Sequence, residues 1–205
     1  MSECVSQGGA ITPPYRYKPG FVGIPHLNDI KIVDLETGTH ELPPNEEGEI
    51  VMKGPALMKG YWKKPGETGE VLRDGWLYTG DIGLMDEEGY IKFLGRKREL
   101  IKCSGYSVFP AEVEALLYRH PAVSEVAVIG VPDTYRGESP KAFIVLKPEY
   151  RGKIKEEEIV QWSRENMAAY KRPRFVEFRE ELPKSSVAKI LRRILAEEEK
   201  HKQEV

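Results

Sequence analysis

The sequence predicts an α+β fold, built as a β-rich part followed by a small α+β domain. Three observations lead there. The chain has 205 residues, room for one large domain or two small ones. Up to about residue 94, hydrophobic runs are short, and Gly and Pro recur between them. Beyond about residue 100, helical spacing alternates with apolar, β-branched runs.

In the first part, residues 30–33 and 49–52 alternate apolar with polar positions, and 90–94 is a third short run. Short strands separated by Gly/Pro turns suggest a distorted barrel, with a turn-rich loop over 38–48. In the second part, 110–119 opens on Pro and sets Val113, Leu116 and Leu117 on one face, which predicts a helix. Glu112 and Glu114 lie early in it, where the helix dipole favours negative charge. Residues 126–131 and 142–146 read as buried strands, 156–167 as a helix with an acidic start, and 175–178 as a short strand. Ile190, Leu191, Ile194 and Leu195 predict a last amphipathic helix, with 197–205 as a solvated, frayed tail. The expected order is strand, helix, strand, strand, helix, strand, helix.

Composition excludes several classes. A net charge of -2 lacks the basic excess of a nucleic-acid binder. The two cysteines, Cys4 and Cys103, form no CxxC pair, and four scattered His give no zinc-ligand spacing. Both cysteines are expected to be reduced and structural. No apolar run approaches the roughly 18 residues of a membrane span, and the start lacks a basic-then-apolar signal. The expected location is cytoplasmic. Asn and Gln are scarce and charged residues abundant, a balance known from thermophiles.

Neither GxxxxGK[ST] nor GxGxxG is present. Three other segments stand out. They are Tyr78-Thr79-Gly80-Asp81; the run Gly95-Arg96-Lys97-Arg98-Glu99-Leu100-Ile101-Lys102-Cys103-Ser104-Gly105-Tyr106; and Pro183-Lys184-Ser185-Ser186-Val187-Ala188-Lys189. Singly they also read as a turn, a solvated hairpin and a surface lysine. In this order they resemble the second half of the adenylate-forming superfamily, which includes acyl-CoA synthetases, aryl-CoA ligases, luciferase and adenylation domains. Gly48-Glu49-Ile50 with Gly60-Tyr61-Trp62, Val131-Pro132-Asp133 with Gly137-Glu138, and Tyr170-Lys171-Arg172-Pro173 resemble further family segments, so the likeness spans nearly the whole chain. Met1-Ser2-Glu3 is similar to the end of the family's YG(x)(S/T)E motif.

The resemblance implies residues 1–94 as the last part of a large AMP-binding domain, 95–99 as a hinge, and 100–205 as a C-terminal lid. It implies an acid–CoA ligase, with a long- or medium-chain fatty acid as the acid, ATP and Mg²⁺ for adenylation, and CoA as acceptor. Asp81 and Arg96 match ribose-contacting positions, Ser2 a phosphate-contacting hydroxyl, and Glu3 a Mg²⁺ ligand of the full-length enzyme. Lys189 matches the lysine that serves adenylation, Arg98 the hinge, and Lys102 with Ser104 and Gly105 the surface that serves thioester formation. Arg136 is similar to a CoA-phosphate contact. Two positions depart from the pattern. Ala188 stands where the family usually has Gly, and Ser107 where several CoA ligases have Arg.

The family's phosphate loop and acid pocket lie upstream of the matched segments. The chain alone is therefore expected not to adenylate, to hold no tightly bound cofactor, and to partner the missing N-terminal part. The resemblance leaves open a rival that loads a carrier protein, and a stand-alone non-catalytic module.

Overall fold

A computed structural model describes residues 3–4, 10–13 and 16–203. They fall into two compact units, Met1–Arg98 and Glu99–Val205. The α+β class expected from the sequence is borne out.

In the first unit, β1 (Ala10–Ile11) pairs with β2 (Ile24–Pro25). Then follow β3 (Asp29–Val33), β4 (Gly48–Lys53), α1 (Pro65–Val71), β5 (Leu72–Arg73), β6 (Trp76–Met85) and β7 (Ile91–Arg96). These last five strands form one antiparallel sheet. β4 lies between β3 and β6, and β6 carries β5 and β7 on its other edge. Alternation puts Ile30, Ile32 and Ile50 on one side, where they pack with Ile91. The loop after β3 is tied by Asp34, whose carboxylate accepts hydrogen bonds from the amides of Thr37, Thr39 and His40.

The second unit runs β8 (Ile101–Cys103), β9 (Tyr106–Val108), α2 (Pro110–Leu117), β10 (Val123–Asp133), β11 (Gly137–Leu146), α3 (Glu156–Asn166), β12 (Phe175–Arg179) and α4 (Arg192–Gln203). The first expected strand is thus a hairpin, β8–β9. β11 pairs antiparallel with β10, parallel with β12 over 141–145, and with β8 at Gly137–Cys103. Val126, Val128, Ala142 and Ile144 face one core, with Val113 and Leu117 of α2 and Ile159 of α3. Ala127, Ile129, Phe143 and Val145 face another, with Leu182 and Leu195. Both faces are covered, which is why β10 and β11 read as continuous apolar runs and not as alternation.

The last helix corrects the sequence reading. It starts at Arg192, so Ile190 and Leu191 precede it. Ile190 bridges to Lys184, and the Leu191 amide donates to the Pro183 carbonyl at 2.8 Å, which holds both outside the helix. Nor does the chain fray at 197, because α4 continues to Gln203. Its charges are anchored on the sheet. Glu198 meets Arg179 and Glu199 meets Lys141, both at 2.8 Å, and Lys202 meets Glu177 at 3.0 Å. Periodicity cannot show that a run of charges faces partners and not water.

Glu177 also pairs with Lys141 at 2.8 Å and Arg179 at 2.6 Å. Burial works against its ionisation, but hydrogen bonds from Lys141 and Lys202 and the nearby cations outweigh it and hold the carboxyl at about 2. A carboxylate depressed in this way stabilises the fold above its unfolded pKa, and that contribution is lost as pH falls through the folded value. Glu177→Gln should therefore lower the thermal midpoint at pH 7 by about 4 °C or more. The gap to wild type should close between pH 4.5 and about 2, followed by circular dichroism. A gap independent of pH would contradict this account of how α4 is held.

Candidate active site

The Tyr78–Asp81 segment is no ordinary turn. It lies inside β6, opposite a register shift in β4 between Glu49 and Val51. Gly80 sits at φ +67, a left-handed conformation that breaks the strand's run without a Cβ penalty. The Thr79 hydroxyl donates to the Ile50 carbonyl at 2.7 Å and accepts the Asp81 amide at 3.0 Å. The Gly80 amide donates to Glu49 Oε1 at 3.1 Å. The kink turns Asp81 toward Arg96, its register partner on β7.

Arg96 Nε stands 2.8 Å from Asp81 Oδ1. The approach is too oblique for a hydrogen bond, so the buried Oδ1 has no hydrogen-bond donor among the described residues. Burial pushes the Asp81 carboxyl above its ordinary range, and Arg96 only partly offsets this. Thr79, Gly80, Arg96, Lys97 and Arg98 line an open cleft of about 380 Å³. A carboxylate with unused acceptor capacity beside cations suits a polyhydroxylated, anionic ligand such as a nucleotide.

In the second unit, the β8–β9 hairpin turns through Ser104 at φ +52 and Gly105 at φ +83, the two left-handed residues of a tight primed turn. Ile101 and Cys103 point into the core, so Lys102 between them points out. Its Nζ donates to Ser107 Oγ at 3.0 Å. A cation at 107 would stand directly across from Lys102, which gives the serine a physical reason. Arg136 lies beside this hairpin, its carbonyl accepting the Ser104 amide at 2.8 Å. The structure thus brings Lys102, Ser104, Gly105 and Arg136 together.

Lys189 belongs to a different place. Its amide donates to Ser185 Oγ at 3.2 Å, and its carbonyl accepts the Ser185 amide at 2.8 Å, closing a small loop. Ala188 takes φ +59, the conformation for which Gly would be the usual choice. The Lys189 side chain is exposed and has no partner among the described residues. At the root of this loop, Lys184 Nζ meets Glu125 Oε1 at 2.6 Å. Glu125 lies at one end of the β10–β11 ladder. At the other end, Glu138 accepts the Lys102 amide at 2.7 Å. From Glu125 to Pro132, the partner of Glu138, the strand spans roughly 23 Å. One rigid ladder therefore roots the two lysines far apart.

Glu3 accepts a hydrogen bond from the Tyr61 hydroxyl at 3.1 Å. Among the described residues no group of three or more His, Cys, Asp or Glu gathers around it or elsewhere. Ser2 lies outside the described residues. Arg98 is exposed, at the boundary of the two units.

Sequence reasoning gave no role to three carboxylates that hold these parts. Glu49, 4% exposed, accepts the Gly80 amide and pairs with Lys97 at 2.7 Å. Asp133 accepts the amides of Tyr135 and Arg136 and the Ser139 hydroxyl, which shapes the turn beside Ser104. Glu138 holds Lys102 as described. The signal was present, since each lies in a quoted motif, but a motif does not state which partner its acid serves.

A carboxyl whose folded pKa is raised favours the fold while protonated, and that advantage is lost as pH rises through the folded value. Asp81 is therefore a cost at neutral pH. Asp81→Asn should raise the thermal midpoint at pH 7 and leave it unchanged near pH 3, measured by calorimetry on this chain. A midpoint lowered at pH 7 would show that the Arg96 pair outweighs desolvation.

Comparison with known proteins gives the family and the fold. Residues 1–62 match the AMP-binding enzyme family, and residues 112–189 match the AMP-binding enzyme C-terminal domain. The long-chain-fatty-acid–CoA ligase of Bacillus subtilis (strain 168) is 54% identical over 184 residues, 89% of this chain and 32% of the ligase. The 2-succinylbenzoate–CoA ligase of Geobacillus kaustophilus is 42% identical over 197 residues, 95% of this chain and 39% of that protein. Among solved structures, ATP-bound MatB from Rhodopseudomonas palustris superposes with TM-score 0.80 at 36% identity, covering 91% of this chain and 37% of that one. The chain thus spans about a third of the length of the curated relatives it matches. Motifs, fold and matches agree that this chain belongs to the adenylate-forming, AMP-binding enzyme family.

Proposed function

We propose that this chain serves an ATP-dependent acid–CoA ligase, with a fatty acid as the acid, and supplies both the ribose-binding edge and the two lysines of its half-reactions. The observation that carries this reading is the pair of lysines rooted at opposite ends of one ladder. The relatives named as long-chain-fatty-acid–CoA ligases support the substrate class. The likeness to CoA ligases favours free CoA over a carrier protein.

In the first half-reaction, a carboxylate oxygen attacks the α-phosphorus of ATP and the bond to the β-phosphate breaks, leaving acyl-AMP and pyrophosphate. Asp81 accepts hydrogen bonds from the ribose hydroxyls, with Arg96 beside it. Lys189, an exposed point charge on a small loop, stabilises the negative charge that gathers between carboxylate and phosphate. Mg²⁺, when bound, neutralises phosphate charge, and Glu3 is the residue of this chain that would hold it. In the second half-reaction, the CoA sulfur attacks the acyl carbon and the bond to AMP breaks. Lys102 and the Ser104–Gly105 turn, with Arg136 for CoA phosphate, then face the site. Rotation about Arg98 exchanges the two ends. One small unit with lysines so far apart serves one step at a time.

The reading is tested in an enzyme that carries this chain with the upstream region its relatives have. Lys189→Ala should slow acyl-AMP formation by about 10²–10³ and spare thioester formation from supplied acyl-AMP. Lys102→Ala should do the reverse. Arg98→Pro should resemble Lys102→Ala, because a fixed φ hinders rotation. Loss of the same half-reaction in both lysine variants would contradict the exchange.

A further inference from the structure

Arg192, the first residue of α4, makes three charged hydrogen bonds at once. Its Nε and Nη2 donate to Glu114 Oε1 and Oε2 at 2.9 and 2.6 Å, a two-pronged fork. Its Nη1 donates to Glu99 Oε2 at 3.1 Å. Glu114 is itself 8% exposed and fixed, since its Oε1 also accepts the Val128 amide of β10 at 2.8 Å. Arg192 therefore ties together α2, β10, the start of α4 and the first residue of the second unit.

Those attachments lie beside the two moving parts of the proposed reaction. Arg192 is three residues past Lys189 and directly follows Leu191, whose amide closes the loop on Pro183. Glu99 directly follows Arg98. On the other side of Arg98, Lys97 is held within the first unit by Glu49 at 2.7 Å. Each neighbour of Arg98 is thus clamped within its own unit, while Arg98 has no side-chain partner among the described residues.

We propose that Arg192 is a positioning residue that makes the Lys189 loop and the hinge-side Glu99 move as one body. Its significance rests on the ligase reading above. Lysine could not replace it, because a single ammonium cannot present a fork to Glu114 and a third donor to Glu99 in fixed geometry. Without the lock, the Lys189 loop and Glu99 would still be joined through the ladder, but each would loosen at its own end, and Lys189 would follow rotation at Arg98 less tightly.

Hydrogen–deuterium exchange on the full 205-residue chain tests this without requiring any catalysis. In Arg192→Gln, two segments far apart in sequence should loosen together, 99–103 and 183–191, each by about tenfold. Exchange in 142–146 of the central strand should stay as in wild type. Arg192→Lys, which keeps the charge and loses the fork, should show the same pattern at smaller amplitude and stands in if the Gln variant does not fold. Loosening of 183–191 alone would make Arg192 a local cap and overturn the proposal. Even loosening of the whole unit would make it a general stabiliser and overturn it equally. Coupled loosening in a chain whose parent enzyme forms no acyl-AMP would uphold the lock and sink the ligase reading, so the two fail separately.

Discussion

The antiparallel pairing of β10 with β11 is the constraint on which the second unit depends. Its register runs from Val123–Leu146 to Asp133–Gly137. It sets both apolar faces, so α2 and α3 cover one side while α4 packs on the other. It also sets where the polar residues come out. At one end Asp133 and Glu138 organise the β8–β9 hairpin, and at the other Glu125 holds the root of the Lys189 loop. A shift of one residue would exchange the faces and misplace both ends together. The separation of the two lysines is therefore a property of the ladder.

The candidate functional positions are places where local rules are broken. Asp81 is a half-buried carboxylate whose buried Oδ1 has no hydrogen-bond donor among the described residues. Ser104 and Ala188 both adopt left-handed backbone that non-glycine residues disfavour. The two backbone departures are held by their surroundings. The carbonyl of Arg136 holds Ser104, and the Ser185–Lys189 hydrogen bonds hold Ala188. Local strain of this kind is tolerated where the surrounding contacts over-determine the conformation.

Much of this was legible in the sequence. The long apolar runs located β10 and β11, and Pro110 marked the start of α2. The motif order pointed to the family before any geometry. β5 was hidden because two residues carry no periodic signal, and the β8–β9 hairpin was offered only as one reading of its basic run, since strands of three residues show no period. The extent of α4 was hidden because its polar residues pair with Lys141, Glu177 and Arg179, contacts made across the fold. The roles of Glu49 and Glu114 were hidden for the same reason. An acid's importance lies in what the fold brings to it, and for Glu114 that is an arginine at position 192.

The central claim is that the second unit presents one lysine or the other to a single nucleotide. Distances from a spin-labelled adenine nucleotide measure it most directly, in an enzyme carrying this chain with the upstream region of its relatives. Labels would be placed at Tyr135, 89% exposed and beside the hairpin, and at Val187, 81% exposed and in the Lys189 loop. With ATP and acid the account predicts a short distance to 187 and a long one to 135. With an acyl-AMP analogue and CoA it predicts the reverse. Both labels near the nucleotide in one state, or distances that do not change between states, would contradict it.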